Sequence, residues 1–297
     1  MLNPDRSPNT ELFLDDKLHM SQAGYAIWKE VVEKYLSEVC QQTVSSGRKQ
    51  RLPKLSGDPY EWYSNTLRRK MKLLVFGHAG MRMLVFPTLR GDLCQYEEQG
   101  MVEALRDRLE SGRLQLFCID GFDSQSLYNQ EIPPRERILR HIDFERYVLN
   151  EVLPFSEKLN SNKHVAAHGC SLGGFHAVNI AFRHPDRFNR VVALSGRYDL
   201  TRSFGGGFRD LFDGYYDDNV YFNTPSHFLA NVTDPTLLTQ MRDLRVFLAV
   251  GEWDAFIENN RAFSQTLSEK GIKHLFRPWV GKAHDFHHWG EMIRLYT

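Results

Sequence analysis

The feature that most constrains the fold of this 297-residue chain is the stretch HVAAHGCSLGGFHAVNIAF at residues 164–182. It carries the pattern G-x-S-x-G with Ser171 at its centre, after a short apolar run and before a helical pattern. A strand that turns sharply into a helix lifts such a serine above a sheet, where its hydroxyl can attack a carbonyl carbon. The turn is tight, so its neighbours must be small, and Gly169, Gly173 and Gly174 meet that need. We therefore predict that Ser171 is a nucleophile.

A bare G-x-S-x-G also occurs in ordinary turns, so this prediction needs a downstream acid and histidine. The acid candidate follows the apolar run at residues 246–250, which is typical of a strand buried on both faces. Functional groups gather beyond the carboxyl ends of such strands, which favours Asp254. Asp254 could instead cap the next helix. Glu252 and Asp199 are the rivals that chain order allows.

The histidine candidate lies between a predicted last strand at residues 274–280 and a closing helix at residues 286–296. His284 falls on the connecting loop, from which an imidazole can reach over the sheet to the serine. His287 and His288 fall within the predicted helix, where packing or solvent exposure is the ordinary role. Three clustered histidines also suggest a metal site, but no cysteine or carboxylate set accompanies them. We therefore favour His284 and expect no metal.

The predicted elements alternate between strands and helices after residue 58, which indicates a mostly parallel α/β sheet with helices on both faces. The exceptions are two antiparallel strands at the start. Long helices are expected at residues 99–110 and 136–160, and a third strand at residues 81–88. The chain order serine, acid, histidine is that of the α/β-hydrolase fold.

An oxyanion formed on the substrate needs two backbone N–H donors. In this fold one belongs to the residue after the nucleophile, here Leu172, and the other to the loop after the third strand. Leu89 is the favoured second donor, with Thr88 and Arg90 as alternatives.

Three segments together resemble the "putative esterase" branch of the α/β-hydrolases: residues 169–174, the GEWD run ending at Asp254, and the closing AHDFHHW run. The resemblance covers residues 56–297 and extends to esterase D (S-formylglutathione hydrolase) and the mycolyltransferase antigens. It implies that Ser171, Asp254 and His284 are nucleophile, acid and base, and that no cofactor is needed.

The resemblance implies hydrolysis of small to medium carboxylic esters through an acyl-enzyme. It leaves the acyl and alcohol groups open. Two other functions fit the same residues: an acyltransferase with the same triad, and a non-catalytic interaction module. The aromatic, glycine-rich residues 202–238 predict a small cap, and we expect Tyr128, Tyr215 and Tyr216 to bind substrate, although such aromatics can equally be core.

The front of the chain has a different pattern. Asp16 and His19, followed by an amphipathic helix, make residues 1–40 resemble the last block of the SGNH (GDSL-type) hydrolases. The serine of that family is missing, so we favour a remnant arm over a second active site completed by another chain. Its apolar stripe needs a partner, either the same chain or a second copy in a homo-oligomer. Residues 41–58 read as a linker, which leaves residues 59–297 as the hydrolase domain.

Composition limits the partners. Lys plus Arg and Asp plus Glu are equal at 37 each, which disfavours nucleic acid or a charged membrane as the main partner. No apolar run reaches the roughly 18 residues of a membrane span, and the first residues lack a signal-peptide pattern. The four cysteines, scattered without metal spacing, suggest reduced thiols in the cytoplasm: Cys40, Cys94, Cys118 and Cys170. Cys170, beside the serine, is expected to point into the structure.

Overall fold

The computed structural model describes residues 55–297 together with Ala26, Lys29 and Glu30, which are helical and exposed. The predictions for Asp16, His19 and the apolar stripe of the N-terminal helix lie outside the described residues, as does most of the predicted linker. The described fold begins with a strand at Asp58, the last residue assigned to that linker.

One eight-stranded sheet organises the described residues, in the order β1-β2-β4-β3-β5-β6-β7-β8. β1 pairs antiparallel with β2 and β2 with β4, and all the other neighbours are parallel. This confirms the predicted α/β class and the two antiparallel strands at the start. The strands are β1 Asp58–Ser64, β2 Arg69–Phe76, β3 Met81–Phe86, β4 Leu114–Ile119, β5 Val165–Cys170, β6 Arg190–Leu194, β7 Arg245–Gly251 and β8 His274–Trp279.

Helices flank the sheet and fill its connections. In chain order the described α-helices are α1 Gln95–Glu98, α2 Met101–Ala104, α3 Arg106–Glu110, α4 Pro134–Tyr147, α5 Leu153–Leu159, α6 Leu172–Arg183, α7 Asp218–Phe222, α8 Pro225–Asn231, α9 Pro235–Asp243, α10 Ile257–Glu269 and α11 Phe286–Tyr296. None of these helices combines the length and the apolar character needed to span a bilayer.

Three predicted elements differ from the structure in their continuity or their ends. The helix expected at residues 99–110 is broken into short pieces, with Gly100 in the left-handed region at a φ of 77°. The helix expected at residues 136–160 contains a π-helical turn at Val148–Val152, just before Pro154. Proline lacks an N–H and clashes with the carbonyl four residues earlier, which the wider turn accommodates. β3 ends at Phe86 because Pro87 cannot donate to the ladder.

The core lies on both faces of the sheet. Leu84 and Phe86 of β3 belong to the cluster on one face, and Met83 and Val85 belong to the cluster on the other. Every residue of β5 is buried, as expected for a strand that helices cover on both sides. The strand that leads to the nucleophile candidate is therefore held from both faces.

Candidate active site

Ser171 occupies the turn between β5 and α6, with a φ of 54° and a ψ of −118°. A residue other than glycine in this region is strained, and it persists only where its surroundings fix it. The backbone N–H of Ser171 donates to the Leu194 carbonyl of β6 at 2.8 Å. This bond and the first turn of α6 hold the serine at the carboxyl end of the sheet.

The glycines around Ser171 are required by close backbone contacts. A Cβ added to Gly169 would lie 2.2 Å from the carbonyl carbon of Gly173. One added to Gly173 would lie 2.2 Å from the Phe86 carbonyl oxygen, and one on Gly174 would lie 3.1 Å from the Cα of Gly196. The expectation that small residues surround the serine is confirmed.

Ser171, His284 and Asp254 form one chain of hydrogen bonds. The His284 Nε2 atom lies 3.1 Å from Ser171 Oγ, and its Nδ1 atom lies 2.7 Å from Asp254 Oδ2. A carboxylate accepts the Nδ1 proton, which leaves Nε2 as the acceptor for the serine hydroxyl. This tautomer is the one that a general base needs.

The two carboxylate oxygens of Asp254 accept different hydrogen bonds. Oδ2 contacts His284, and Oδ1 accepts the backbone N–H of Phe256 at 3.0 Å. The side chain is only 1% exposed. Asp254 is thus fixed in rotation, although it lies at the start of the turn that leads into α10.

The loops that carry Asp254 and His284 are joined by their backbones. Glu252 N–H donates to the Trp279 carbonyl at 2.7 Å, and Trp253 N–H donates to the Gly281 carbonyl at 3.0 Å. A Cβ on Gly251 would lie 1.8 Å from the Lys282 carbonyl oxygen, so only glycine permits this approach. The loop of the acid and the loop of the histidine are therefore fastened directly to each other.

Two rings that the sequence reasoning missed hold the His284 imidazole. Its ring centroid lies 5.8 Å from that of Phe256 and 5.1 Å from that of Trp289, both edge to face. Trp289 is anchored in turn by a 3.1 Å hydrogen bond from its Nε1 to Ser195 Oγ. The signal for Trp289 was its position one turn into the closing helix, five residues after His284.

The rivals for the acid and the base lie elsewhere. Glu252 is exposed, and Asp199 faces His227 at 3.4 Å. Burial would raise the pKa of Asp199, but hydrogen bonds from His227 and Thr201 outweigh it and lower that pKa.

The other two histidines of the closing run lie beside carboxylates outside the triad, although His287 lines a surface cleft together with Ser171 and His284. His287 is 81% exposed beside Glu291, and His288 pairs with Asp285 at 2.8 Å. Among the described residues no group of three His, Cys, Asp or Glu side chains could hold a metal ion.

Cys170 precedes the serine but points into the core, where burial raises the pKa of its thiol well above the usual value. Cys94 and Cys118 are free thiols as well.

An open cleft of about 550 Å³ lies over Ser171 and His284. Leu89 forms part of its wall, and Leu172 opens α6. No partner for the backbone N–H of either leucine is found between residues 55 and 297. Both of the predicted oxyanion donors are thus unengaged beside the serine.

The three candidate substrate tyrosines have different surroundings, and none of them lines the open cleft. Tyr128 and Tyr215 pack in the apolar cluster that includes Leu172 and Leu89. Tyr216 is 52% exposed, and its hydroxyl lies 2.9 Å from His227 Nδ1.

The predicted cap begins beside the histidine. Phe204 and Phe208 bridge across three glycines, and their rings lie 5.5 and 4.6 Å from that of Phe256. The buried guanidinium of Arg197 donates to four backbone carbonyls at the base of this segment. An apolar hairpin is therefore anchored next to the ring that contacts His284.

Residues 64–292 match the protein family described as "Putative esterase". No curated protein sequence matches the chain.

Solved structures share the fold at low sequence identity. A ferulic acid esterase is 19% identical with a TM-score of 0.65, over 82% of this chain and 96% of its own. An S-formylglutathione hydrolase from Agrobacterium tumefaciens is 15% identical with a TM-score of 0.64, over 82% and 94%. MPT51 of Mycobacterium tuberculosis is 16% identical with a TM-score of 0.60, over 80% and 95%.

Proposed function

The chain belongs to the "Putative esterase" family and is an ester hydrolase, and we propose that it is a serine esterase that cleaves small to medium carboxylic esters through an acyl-enzyme on Ser171. The observation that carries this proposal is the chain of hydrogen bonds from Asp254 through His284 to Ser171 at a strained turn. In it a nucleophile, a base and an orienting carboxylate stand within hydrogen-bond reach of one another.

In the acylation step Ser171 Oγ attacks the ester carbonyl carbon while His284 Nε2 takes its proton. The C–O bond to the alcohol then breaks, and the imidazolium gives that proton to the leaving oxygen. Asp254 stabilises the imidazolium and keeps its proton on Nδ1. The products of this step are the free alcohol and an acyl ester of Ser171.

In the deacylation step water replaces the alcohol. The water oxygen attacks the acyl carbon while His284 takes a proton from that water. His284 then gives the proton to Ser171 Oγ as the carboxylic acid leaves. The N–H groups of Leu172 and Leu89 stabilise the oxyanion in both steps. Losing one such donor typically costs about 10²–10³ in rate.

The surroundings of the serine support the proposed substrate size. The cleft is open to solvent, so it suits a leaving group that departs directly into water. The apolar cluster beneath Leu172 and the Phe204/Phe208 hairpin offer apolar surface to a short acyl chain. Tyr128, Tyr215 and Tyr216 are proposed to border the acyl group when the substrate is bound. The free thiols of Cys94, Cys118 and Cys170 support a cytoplasmic location as part of this proposal.

The direct test is hydrolysis of p-nitrophenyl esters of increasing acyl length, with release of the free acid measured both with and without an added acceptor alcohol. We expect Ser171→Ala to lose about 10⁴-fold or more in kcat/KM. Ser268→Ala is the matched control, because Ser268 is exposed on α10 and should leave the rate unchanged. Full activity in Ser171→Ala would contradict the proposal, and acyl transfer without acid release would indicate an acyltransferase.

A further inference from the structure

The loop between β3 and α1 is fastened by a single glutamine side chain. The backbone N–H of Thr88 donates to Gln95 Oε1 at 3.0 Å, and Gln95 Nε2 donates to Thr88 Oγ1 at 2.8 Å. The Gln95 carboxamide thus hydrogen-bonds to both the main chain and the side chain of Thr88, which lines the cleft.

The hydrogen bond from Thr88 N–H to Gln95 limits which backbone N–H groups of this loop are free to face an oxyanion. The Thr88 N–H is occupied by Gln95, and Arg90 is exposed and does not line the cleft. Leu89 lines the cleft together with Ser171, and its N–H has no partner within residues 55–297. Of the three consecutive residues, Leu89 is the one that combines an N–H without a partner among residues 55–297 with a place in the wall of the cleft.

Gln95 is itself held in place by the same loop. Its backbone N–H and that of Cys94 donate to Asp92 Oδ1 at 3.1 and 2.9 Å. The Gly91 N–H donates to the Thr88 carbonyl at 2.9 Å. These hydrogen bonds, together with the peptide bond between Gly91 and Asp92, form a closed ring that runs from Thr88 to Gln95 and back.

Close packing around the carboxamide gives independent support. A Cβ added to Gly91 would lie 2.3 Å from Gln95 Oε1 and 2.6 Å from Nε2. A Cβ added to Gly121 would lie 2.1 Å from the Gly91 carbonyl oxygen. The loop after β4 therefore packs directly against the loop that contains Gly91. Glycine at positions 91 and 121 leaves room for the backbone to pack against the Gln95 side chain.

We infer that Gln95 is a positioning residue that occupies the Thr88 N–H and aims the Leu89 N–H at the oxyanion. The role requires one side chain with both an acceptor and a donor, as a carboxamide has. A glutamate would instead place negative charge near a developing oxyanion. This inference rests on the proposed function, because the oxyanion forms only when Ser171 attacks an ester.

The test compares Gln95→Met, which keeps the length of the side chain but neither hydrogen bond, with Gln265→Met on the exposed face of α10. A fluorophosphonate titration first counts the active sites in each preparation. Turnover of p-nitrophenyl acetate and inhibition by an alkyl trifluoromethyl ketone are then expressed per titrated site. The ketone forms a tetrahedral adduct with serine and so reports on the oxyanion donors directly.

We expect Gln95→Met to lose about 10–100-fold in kcat, because small misplacements of a donor have effects of this size. KM should stay close to that of the wild type, and affinity for the ketone should fall by the same factor as kcat. Gln265→Met should match the wild type. Thr88→Val, which loses only the side-chain hydrogen bond to Gln95, should show a smaller loss in the same direction.

Wild-type kcat and ketone affinity per titrated site in Gln95→Met would overturn the inference, even if its melting temperature were lower. If Gln95→Met does not fold, Thr88→Val makes the same comparison, and no loss per site in that variant would overturn it. Failure of the proposed function looks different, because wild-type protein would then be neither labelled at Ser171 nor inhibited by the ketone.

Discussion

At the scale of single residues, the sequence could predict that Ser171, Asp254 and His284 come together, because local patterns mark each of them. The serine lies in a short motif, Asp254 follows the apolar run of β7, and His284 lies on the loop between the last strand, β8, and the closing helix. Gln95 carries no such pattern, and Trp289 is marked only by its position in the closing helix. Their roles arise from contacts with residues distant in sequence or from the path of a loop, which become visible only in three dimensions.

Asp254→Asn tests the assignment of the acid. An asparagine amide favours the wrong tautomer of His284, so we expect kcat to fall by about 10³–10⁴ near neutral pH, with little change in melting temperature. Glu252→Gln and Asp199→Asn are the matched controls. A loss in Glu252→Gln equal to that in Asp254→Asn would show that the acid has been misassigned.

At the scale of secondary-structure elements, the strand–turn–helix at Ser171 was predictable because glycine spacing and apolar runs are local. The breaks within the two long predicted helices were harder to predict from the sequence. The π-helical turn before α5 reflects Pro154, whose effect within a helix depends on the length of the flanking segments. The joining of the β7 and β8 loops depends on parallel pairing of two strands, which no local pattern specifies.

Gly173→Ala tests the elbow as an element. The new Cβ would meet the Phe86 and Pro87 carbonyls at 2.2 and 2.7 Å, so α6 or the loop bearing Leu89 must move. We expect kcat/KM to fall by about 10² or more, because oxyanion donors misplaced by 1 Å lose that much. Gly205→Ala has open space around its Cβ and should behave like the wild type. Unchanged kinetics in Gly173→Ala would show that the contact is not needed.

At the scale of the whole molecule, composition and alternation of elements predicted the parallel sheet, but not the place of β4 between β2 and β3. That order depends on long-range pairing. The sequence also carried no sign of which histidines are buried in the core. Burial lowers the pKa of His168 to about 4, and burial together with the nearby His176 lowers that of His141 to about 3.

These buried histidines predict how stability depends on pH. In the unfolded chain both titrate near their usual value of about 6.5, whereas in the folded protein they stay neutral to lower pH. Between those values the unfolded chain binds protons that the folded protein does not, so stability should fall as the pH drops from about 6.5 towards 4. Below a pH of about 4.5 Glu145 adds to the loss, because Arg183 and His184 outweigh burial and lower its pKa to about 2.

Melting temperatures measured across this pH range check the prediction. His168→Asn should melt lower overall but with a flatter pH dependence, since it removes one of the titrating groups. His287→Asn, at an exposed position, should keep the slope of the wild type. A wild-type melting temperature that stays constant from about pH 6.5 to 4 would contradict the neutral, buried state of the two histidines.

The proposed mechanism requires Ser171 to carry the acyl group during ester hydrolysis. Its most direct test is to label the protein with a fluorophosphonate and locate the modified peptide by tandem mass spectrometry. We predict one label, on Ser171, which does not form in His284→Ala and forms more slowly while excess p-nitrophenyl acetate is present as a competing substrate. A label on any other residue, or none in a protein that hydrolyses esters, would contradict it.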